Sequence, residues 1–339
     1  MKTILVTGAN GFIGSHTLHW LSQQQDIKLI AACRDKKKLS GDFHGEVREG
    51  DYRDKDYLTT LLQGVDVVIN AMAWTSLWGY KEASDSSFYQ PTIKLIDQYL
   101  QSDASRFINL STTSAAAPDQ SSDALSTGIP RPFWPHLCNV IKIENYLRDH
   151  ASDNKTVVNM RLGLFVGERY SLGLLPILLP RLKTHLVPWV SNGKTSMPIA
   201  DGRDYGQAMA RAALANDLQS YEAFNIAGKE IPTVRDVIQF IHKEFSYPKP
   251  HFGVPFFGAY AFAWLMEKID PIVPWEPLIT RSIVHLLEET NINNEQAIKR
   301  LGYHPQYDWR EAVRLQIAEM EQRQLKPMSM VKPLDQPIN

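Results

Sequence analysis

Residues 3–14 read TILVTGANGFIG. The run 3–7 is aliphatic enough for a buried strand. Gly8, Gly11 and Gly14 then punctuate the entry into 12–24, where Ile13, Leu18 and Leu21 fall on one helical side. A strand that turns through glycines into a helix leaves backbone N–H groups unpaired at the helix N-terminus, where partial positive charge collects. Without Cβ atoms in the way, a pyrophosphate can come against that main chain. A glycine triplet alone says little, but its place between a first strand and a first helix makes it a dinucleotide site. The contacts expected are Gly8, Asn10, Gly11, Phe12, Ile13 and Gly14.

Outward from this unit, apolar runs at 27–33, 46–50, 65–71, 106–110 and 156–162 alternate with helical patterns at 84–100 and 135–148. Strands this apolar and separated by helices imply a parallel sheet covered on both faces. The fold class is therefore α/β, a Rossmann-type doubly wound parallel sheet with a smaller C-terminal α/β substrate lobe. The nucleotide-binding domain is assigned to 1–165, with later segments returning to it, and the substrate lobe to 166–325, where Pro176, Pro180, Pro188 and Pro198 break the texture. The tail 326–339 has no periodicity and is expected to be poorly ordered.

Composition narrows the function. Of 339 residues, 44% are apolar and 22% charged, which excludes general disorder. Lys and Arg number 36 against 37 Asp and Glu, leaving no electrostatic surplus for nucleic acid or anionic lipid. Two cysteines, Cys33 and Cys138, are too few for a disulfide framework, and no signal-peptide core follows Met1, so a cytoplasmic location is expected. The apolar stretch 252–266 is shorter than the ~20 residues of a membrane span and reads as a buried or interfacial helix. His16 and His19 share a helix face without a third ligand at diagnostic spacing, so no metal is expected.

Coenzyme choice turns on the end of the second strand, where a carboxylate would accept the ribose 2′-OH. Arg34 stands there, with Lys36, Lys37 and Lys38 beyond it. A guanidinium can grip a 2′-phosphate with two prongs, so NADP(H) is favoured, Arg34 and Lys38 being its contacts. NAD(H) stays possible if the strand ends one residue later, at Asp35.

Several further motifs point the same way. GDYRD spans 50–54, NAMA 70–73, LSTTSA 110–115, RLGLFVG 161–167 and IKRLGYHP 298–305. With the glycine motif, these resemble the extended short-chain dehydrogenase/reductase family, in particular its branch of 3β-hydroxysteroid dehydrogenases, dihydroflavonol reductases and sugar-nucleotide epimerases. The resemblance implies adenine contacts at Asp51 and Tyr52. It places Asn70, Ala71, Met72, Ala73 and Leu110 beside the nicotinamide ribose and the catalytic hydroxyl on Thr112. It also implies a homodimer formed through the helices at 84–100 and 135–148.

Such enzymes use a Tyr as acid or base and a Lys one helical turn later, whose ammonium lowers the phenol pKa and holds the ribose. Aligning on Glu144 and Leu147 puts His136 and Val140 at those positions; a shifted register would put Cys138 and Lys142 there. The first keeps the helix amphipathic. His136 is then the proton donor to consider, the alternative being a hydrogen-bonded pocket histidine. Trp74, Ser76 and Trp78 follow the fourth strand where open parallel sheets bind ligands, and with Thr113, Phe165 and Trp189 they are the candidate substrate contacts; core or lid packing is the competing reading. Met197 and Arg203 are weaker candidates of the same kind. The functional expectation is an atypical NADPH-dependent reductase of a small, largely apolar ketone or activated double bond. The alternatives are a non-catalytic NADP(H)-binding sensor or assembly protein and, last, a sugar-nucleotide epimerase or dehydratase.

Overall fold

The computed structural model describes residues 1–116, 126–170, 172–270, 272–273, 277–289 and 292–322. The tail assigned to 326–339 lies outside them. In chain order the strands are β1 (Lys2–Thr7), β2 (Ile27–Cys33), β3 (Glu46–Glu49), β4 (Val67–Asn70), β5 (Arg106–Thr112), β6 (Thr156–Leu162), β7 (Leu164–Val166), β8 (Trp189–Val190), β9 (Ile199–Asp201), β10 (Tyr221–Ile226) and β11 (Gly253–Val254). The α-helices are α1 (Phe12–Leu21), α2 (Lys55–Leu61), α3 (Lys81–Ser84), α4 (Gln90–Gln101), α5 (Pro135–His150), α6 (Leu174–Lys183), α7 (Gly202–Leu214), α8 (Val234–Phe245), α9 (Phe256–Ile269), α10 (Arg281–His285), α11 (Glu295–Leu301) and α12 (Trp309–Gln322).

Seven strands pair in parallel in the order β3-β2-β1-β4-β5-β6-β10. The strand order reverses between β1 and β4, and crossovers that diverge there open a crevice at the carboxyl ends of the strands. Apolar side chains of α1, α7 and α11 fill the core on one face, and those of α2, α4 and α5 fill the other. α7 approaches α1 closely because Gly202 and Gly206 face it; a Cβ at either would stand 2.6 Å or less from atoms of His16 or Phe12.

One polar line crosses the sheet interior. Thr7 Oγ1 donates to Asn70 Oδ1 (2.9 Å), Asn70 Nδ2 to Asn109 Oδ1 (3.1 Å), Asn109 Nδ2 to Asn159 Oδ1 (2.9 Å) and Asn159 Nδ2 to the Tyr221 hydroxyl (3.1 Å). A register slip in β4, β5 or β6 would strand these buried amides, so the ladder pins the strand ends that carry the site.

Most element boundaries follow the sequence pattern, with instructive exceptions. β5 runs on to Thr112, two residues past the expected end, which keeps Thr112 on the rigid edge of the sheet. The helix expected at 84–100 begins at Lys81 and widens to a π-turn over Asp85–Tyr89 ahead of Pro91. A proline ring crowds the carbonyl four residues back and donates no hydrogen bond, and a wider turn relieves both conflicts. The returning segments are β10, α7 and α11, which complete the sheet and one face of its cover. The stretch 252–266 mostly forms α9, which buries Ala259, Ala263 and Glu267 and leaves Phe257, Phe262, Trp264 and Leu265 exposed, a narrower buried stripe than expected. Among the described residues, no helix is long and apolar enough to cross a membrane.

Candidate functional site

The glycine turn forms a cradle. Gly8 adopts φ +59°, and a Cβ there would lie 2.6 Å from the Ala71 carbonyl oxygen; a Cβ on Gly14 would lie 2.2 Å from that of Gly8. The first glycine therefore lets β1 turn against the exit of β4, and the second lets α1 pack onto the turn. α1 starts after Gly11 with no side-chain cap and no acidic residue in its first turn, so its N–H groups and dipole face outward unneutralised. A cavity of about 280 Å³ opens there, lined by Asn10, Gly11, Phe12, Ser15, Lys38 and Arg169. These residues fit a dinucleotide pyrophosphate. Ile13 is buried in the core, and the Phe12 ring stacks on Tyr170 at 4.4 Å, so these two build the cradle from behind.

Past the end of β3, Asp51 binds Arg53 at 2.6 Å, and that hydrogen bond holds its carboxyl below the ordinary range. Tyr52 is buried with its hydroxyl 3.4 Å from the Ala32 carbonyl. β2 ends at Cys33, so Arg34 is the first residue beyond it; its side chain is exposed and makes no ion pair among the described residues. The Asp35 carboxylate is occupied, accepting from Lys37 N (3.0 Å) and standing 3.6 Å from Lys38 Nζ. Lys36 faces Glu49 at 3.8 Å. Ala71, Met72 and Ala73 lead away from β4, with Met72 N 3.4 Å from Asn70 Oδ1, and Leu110 is half-buried on β5.

A second crevice lies past the carboxyl ends of β5 and β6. Thr112, Thr113, Ser114, Gly163, Pro198, His285 and Glu288 are among its lining residues. Thr112 Oγ1 accepts from Ser114 N at 3.3 Å, which orients the hydroxyl at the sheet edge. Beneath it, fully buried Arg161 binds fully buried Glu144 at 2.6 Å, and Ser111 donates to the same carboxylate. This ion pair fixes β5, β6 and α5 together just behind the crevice.

His136 lies in an aromatic packing site and not among the residues that line the crevice. The imidazole sits between the rings of Phe88 (4.8 Å) and Trp74 (5.5 Å), with Nδ1 3.4 Å from Ser84 Oγ. Burial pushes its pKa down to about 4, so it is neutral near pH 7. Val140 is buried in the apolar core. In the shifted register, Cys138 Sγ lies 3.2 Å from the Arg131 carbonyl with its thiol pKa raised by burial, and Lys142 reaches outward over the Tyr89 ring at 5.5 Å. Neither pair forms a Tyr-Lys equivalent at the crevice.

The other substrate candidates disperse. Thr113 lines the crevice. Trp74, Ser76 and Trp78 form a strap across the N-terminus of α5: Trp134 Nε1 donates to the Ser76 carbonyl (2.7 Å), and Trp78 Nε1 donates to Asp270 (3.1 Å). Phe165 packs on Phe12, Tyr170 and Tyr205. Trp189 and Met197 belong to the core of the second lobe, and Arg203 is tied to Asp201 at 2.7 Å. Packing therefore accounts for Trp189 and Met197 in the apolar centre of the second lobe, while Phe165 packs on the core beside α1 and Arg203 is held by its ion pair.

Sequence reasoning missed His285 and Glu288. Their three-residue spacing at the end of α10 was the only local signal, and many surface helices carry such a pair.

A parallel sheet in this order, with a glycine cradle at its switch point, is a Rossmann-type nucleotide-binding fold. The model of the NAD dependent epimerase/dehydratase family matches residues 4–227. The chain belongs to that family, within the extended short-chain dehydrogenase/reductase type, and lacks the Tyr-Lys pair. It is 22% identical to the uncharacterized protein YbjS of Escherichia coli (strain K12) over 89% of this chain and 93% of that one. Over a shorter stretch it is 34% identical to the low-salt glycan biosynthesis protein Agl12 of Haloferax volcanii, a match spanning 32% of this chain and 39% of the relative. Among solved structures, gox2253 superposes with a TM-score of 0.74 at 21% identity, covering 95% of this chain and 99% of the other. The UDP-glucuronic acid 4-epimerase from Bacillus cereus, in complex with UDP-glucuronic acid and NAD, gives 0.68 at 20% identity with the same coverage. At these identities the likeness establishes the fold.

Proposed function

We propose that the protein binds NADP(H) at the glycine cradle and reduces a carbonyl or activated double bond of a small, largely apolar molecule in the crevice past β5 and β6. The observation that carries the coenzyme choice is the contrast after β2: the Arg34 guanidinium is exposed, with only a longer-range attraction to Asp51 and no close ion pair among the described residues, while the neighbouring Asp35 carboxylate caps the following turn. A free guanidinium suits a 2′-phosphate, and an engaged carboxylate is poorly placed to accept from a 2′-hydroxyl.

When bound, a reduced nicotinamide supplies two electrons and one hydrogen to the acceptor carbon. The protein's part is alignment and charge stabilisation, with Thr112 donating a hydrogen bond to the acceptor oxygen and Thr113 lining the crevice beside it. Helices α4 and α5 are the surface through which a homodimer would form.

The buried Val140 at the position of the family lysine favours a second reading, a coenzyme-binding sensor without turnover. Sugar-nucleotide epimerisation, the chemistry named for the Bacillus cereus neighbour, ranks below both because it needs a phenolate-type base at the position that His136 fills.

Calorimetry with NADPH and NADH, followed by NADPH oxidation against ketones and enones, tests the proposal. Tighter NADPH binding with turnover of at least one acceptor is the expected result. Tight binding with no oxidation would select the sensor, and preference for NADH would overturn the coenzyme assignment.

A further inference from the structure

The crevice that holds Thr112 lacks both the family phenol and His136, yet one acid-base group does face it. His285 and Glu288 approach from the second lobe, on α10 and the turn after it. Nδ1 of His285 lies 2.7 Å from Glu288 Oε2. Ser114, whose N–H is bonded to Thr112 Oγ1, lines the same crevice, and its backbone helps to raise the imidazole pKa. Phe133 and Trp134 place their rings edge-on to the imidazole, at 6.5 and 6.0 Å, and limit its rotation.

We propose that His285, held by Glu288, is the proton donor to the acceptor oxygen in this crevice, taking the part that a tyrosine plays elsewhere in the family. The inference rests on the reductase reading above. With Nδ1–H committed to Glu288, Nε2–H is the remaining donor for an incoming oxygen. As the acceptor carbon gains two electrons and one hydrogen from the reduced coenzyme, the C=O π bond breaks. The oxygen forms O–H with the Nε2 proton of the imidazolium, leaving a neutral imidazole that takes up a proton from bulk solvent before the next turnover. The arrangement, a carboxylate orienting an imidazole beside the reacting oxygen, is one that acid-base catalysis repeatedly uses.

The charged groups facing the imidazole are Glu288, which favours the protonated form, and Arg131 ahead of α5, which opposes it. Arg281, on the same helix, is bound to Glu267 of α9 at 2.6 Å. Burial is the largest influence and lowers the pKa, with Glu288 and the Ser114 backbone pulling it back up.

The test uses the full chain with [13C]-histidine labelling. If wild type oxidises NADPH with an acceptor, His285→Gln should lose about 100-fold or more in kcat with NADPH affinity unchanged. Glu288→Gln should move the alkaline limb of the kcat profile to lower pH, together with the His285 Cε1 titration. Retained kcat in folded His285→Gln, or an unmoved limb in Glu288→Gln, would overturn the proposal. If wild type oxidises nothing, the reductase reading fails by itself, and the resonance decides the rest. A His285 Cε1 shift on adding trifluoroethanol with NADP+, lost in Thr112→Val, would sustain His285 as the group facing the ligand oxygen; no shift would sink it.

Discussion

Asn109 donates its Nδ2 hydrogen to Oδ1 of Asn159 at 2.9 Å, and its own Oδ1 accepts from Asn70 at 3.1 Å, so one amide ties three adjacent strands. All three side chains are buried. Asn109→Ala would leave Asn70 Nδ2 and Asn159 Oδ1 without partners, each orphan costing ~1–3 kcal/mol. We expect a loss of about 2–5 kcal/mol in urea unfolding at neutral pH. A change below about 1 kcal/mol would mean that the ladder is not what fixes the sheet.

Glu144 and Arg161 have no exposed side-chain surface. Removing the carboxylate leaves a guanidinium in the protein interior, a situation that costs ~3–5 kcal/mol. Glu144→Ala should therefore destabilise on that scale, and Ser111→Ala, which removes one neutral donor from the same carboxylate, by only about 1–2 kcal/mol. Guanidinium denaturation of the two variants checks the order. Equal small losses in both would contradict it.

Stability should fall on mild acidification. Burial lowers the pKa values of His16 and His136 from 6.5 to about 4, so the folded state binds fewer protons than the unfolded one across that interval. Their contributions are present above pH 6.5 and lost as pH drops towards 4, with an upper bound of ~3 kcal/mol each. Asp204 acts in the opposite sense: desolvation raises its pKa to about 6, so its contribution grows as pH falls from 6. His136→Gln should flatten the decline between pH 7 and 5, as measured by unfolding midpoints, although it also loses the ring contacts. An unchanged slope would show that His136 titrates normally.

Arg34→Asp should reverse coenzyme preference. Loss of a charge-assisted contact worth ~1.5–3 kcal/mol weakens NADPH binding by about 10- to 100-fold, and the new carboxylate can accept from a 2′-hydroxyl. Calorimetry in both coenzymes reads the ratio. Lys37→Ala is the control, since its exposed side chain makes no ion pair among the described residues; a similar effect in both variants would assign the preference to diffuse charge.

The dinucleotide cradle was legible because its requirements are local. Three glycines, a preceding apolar strand and a following helix lie within residues 2–21, and each glycine answers to a contact the backbone itself creates. The parallel sheet was legible for a similar reason, since buried strands and covering helices carry opposite periodicities. The position of Thr112 also followed from its strand.

The crevice chemistry was not legible in this way. His136 occupies the family position in the sequence, but its ring packs between Phe88 and Trp74 and does not line the crevice. His285 lies far along the chain on a helix of five residues, and reaches the sheet edge only because α9, α10 and the strap at Trp78 dock against α5. The sequence alone thus determined the nucleotide fold, through short-range backbone sterics and apolar periodicity. Which side chains meet in the crevice was decided by the tertiary structure, because long-range packing of a second lobe leaves no periodic trace in the chain that folds into it.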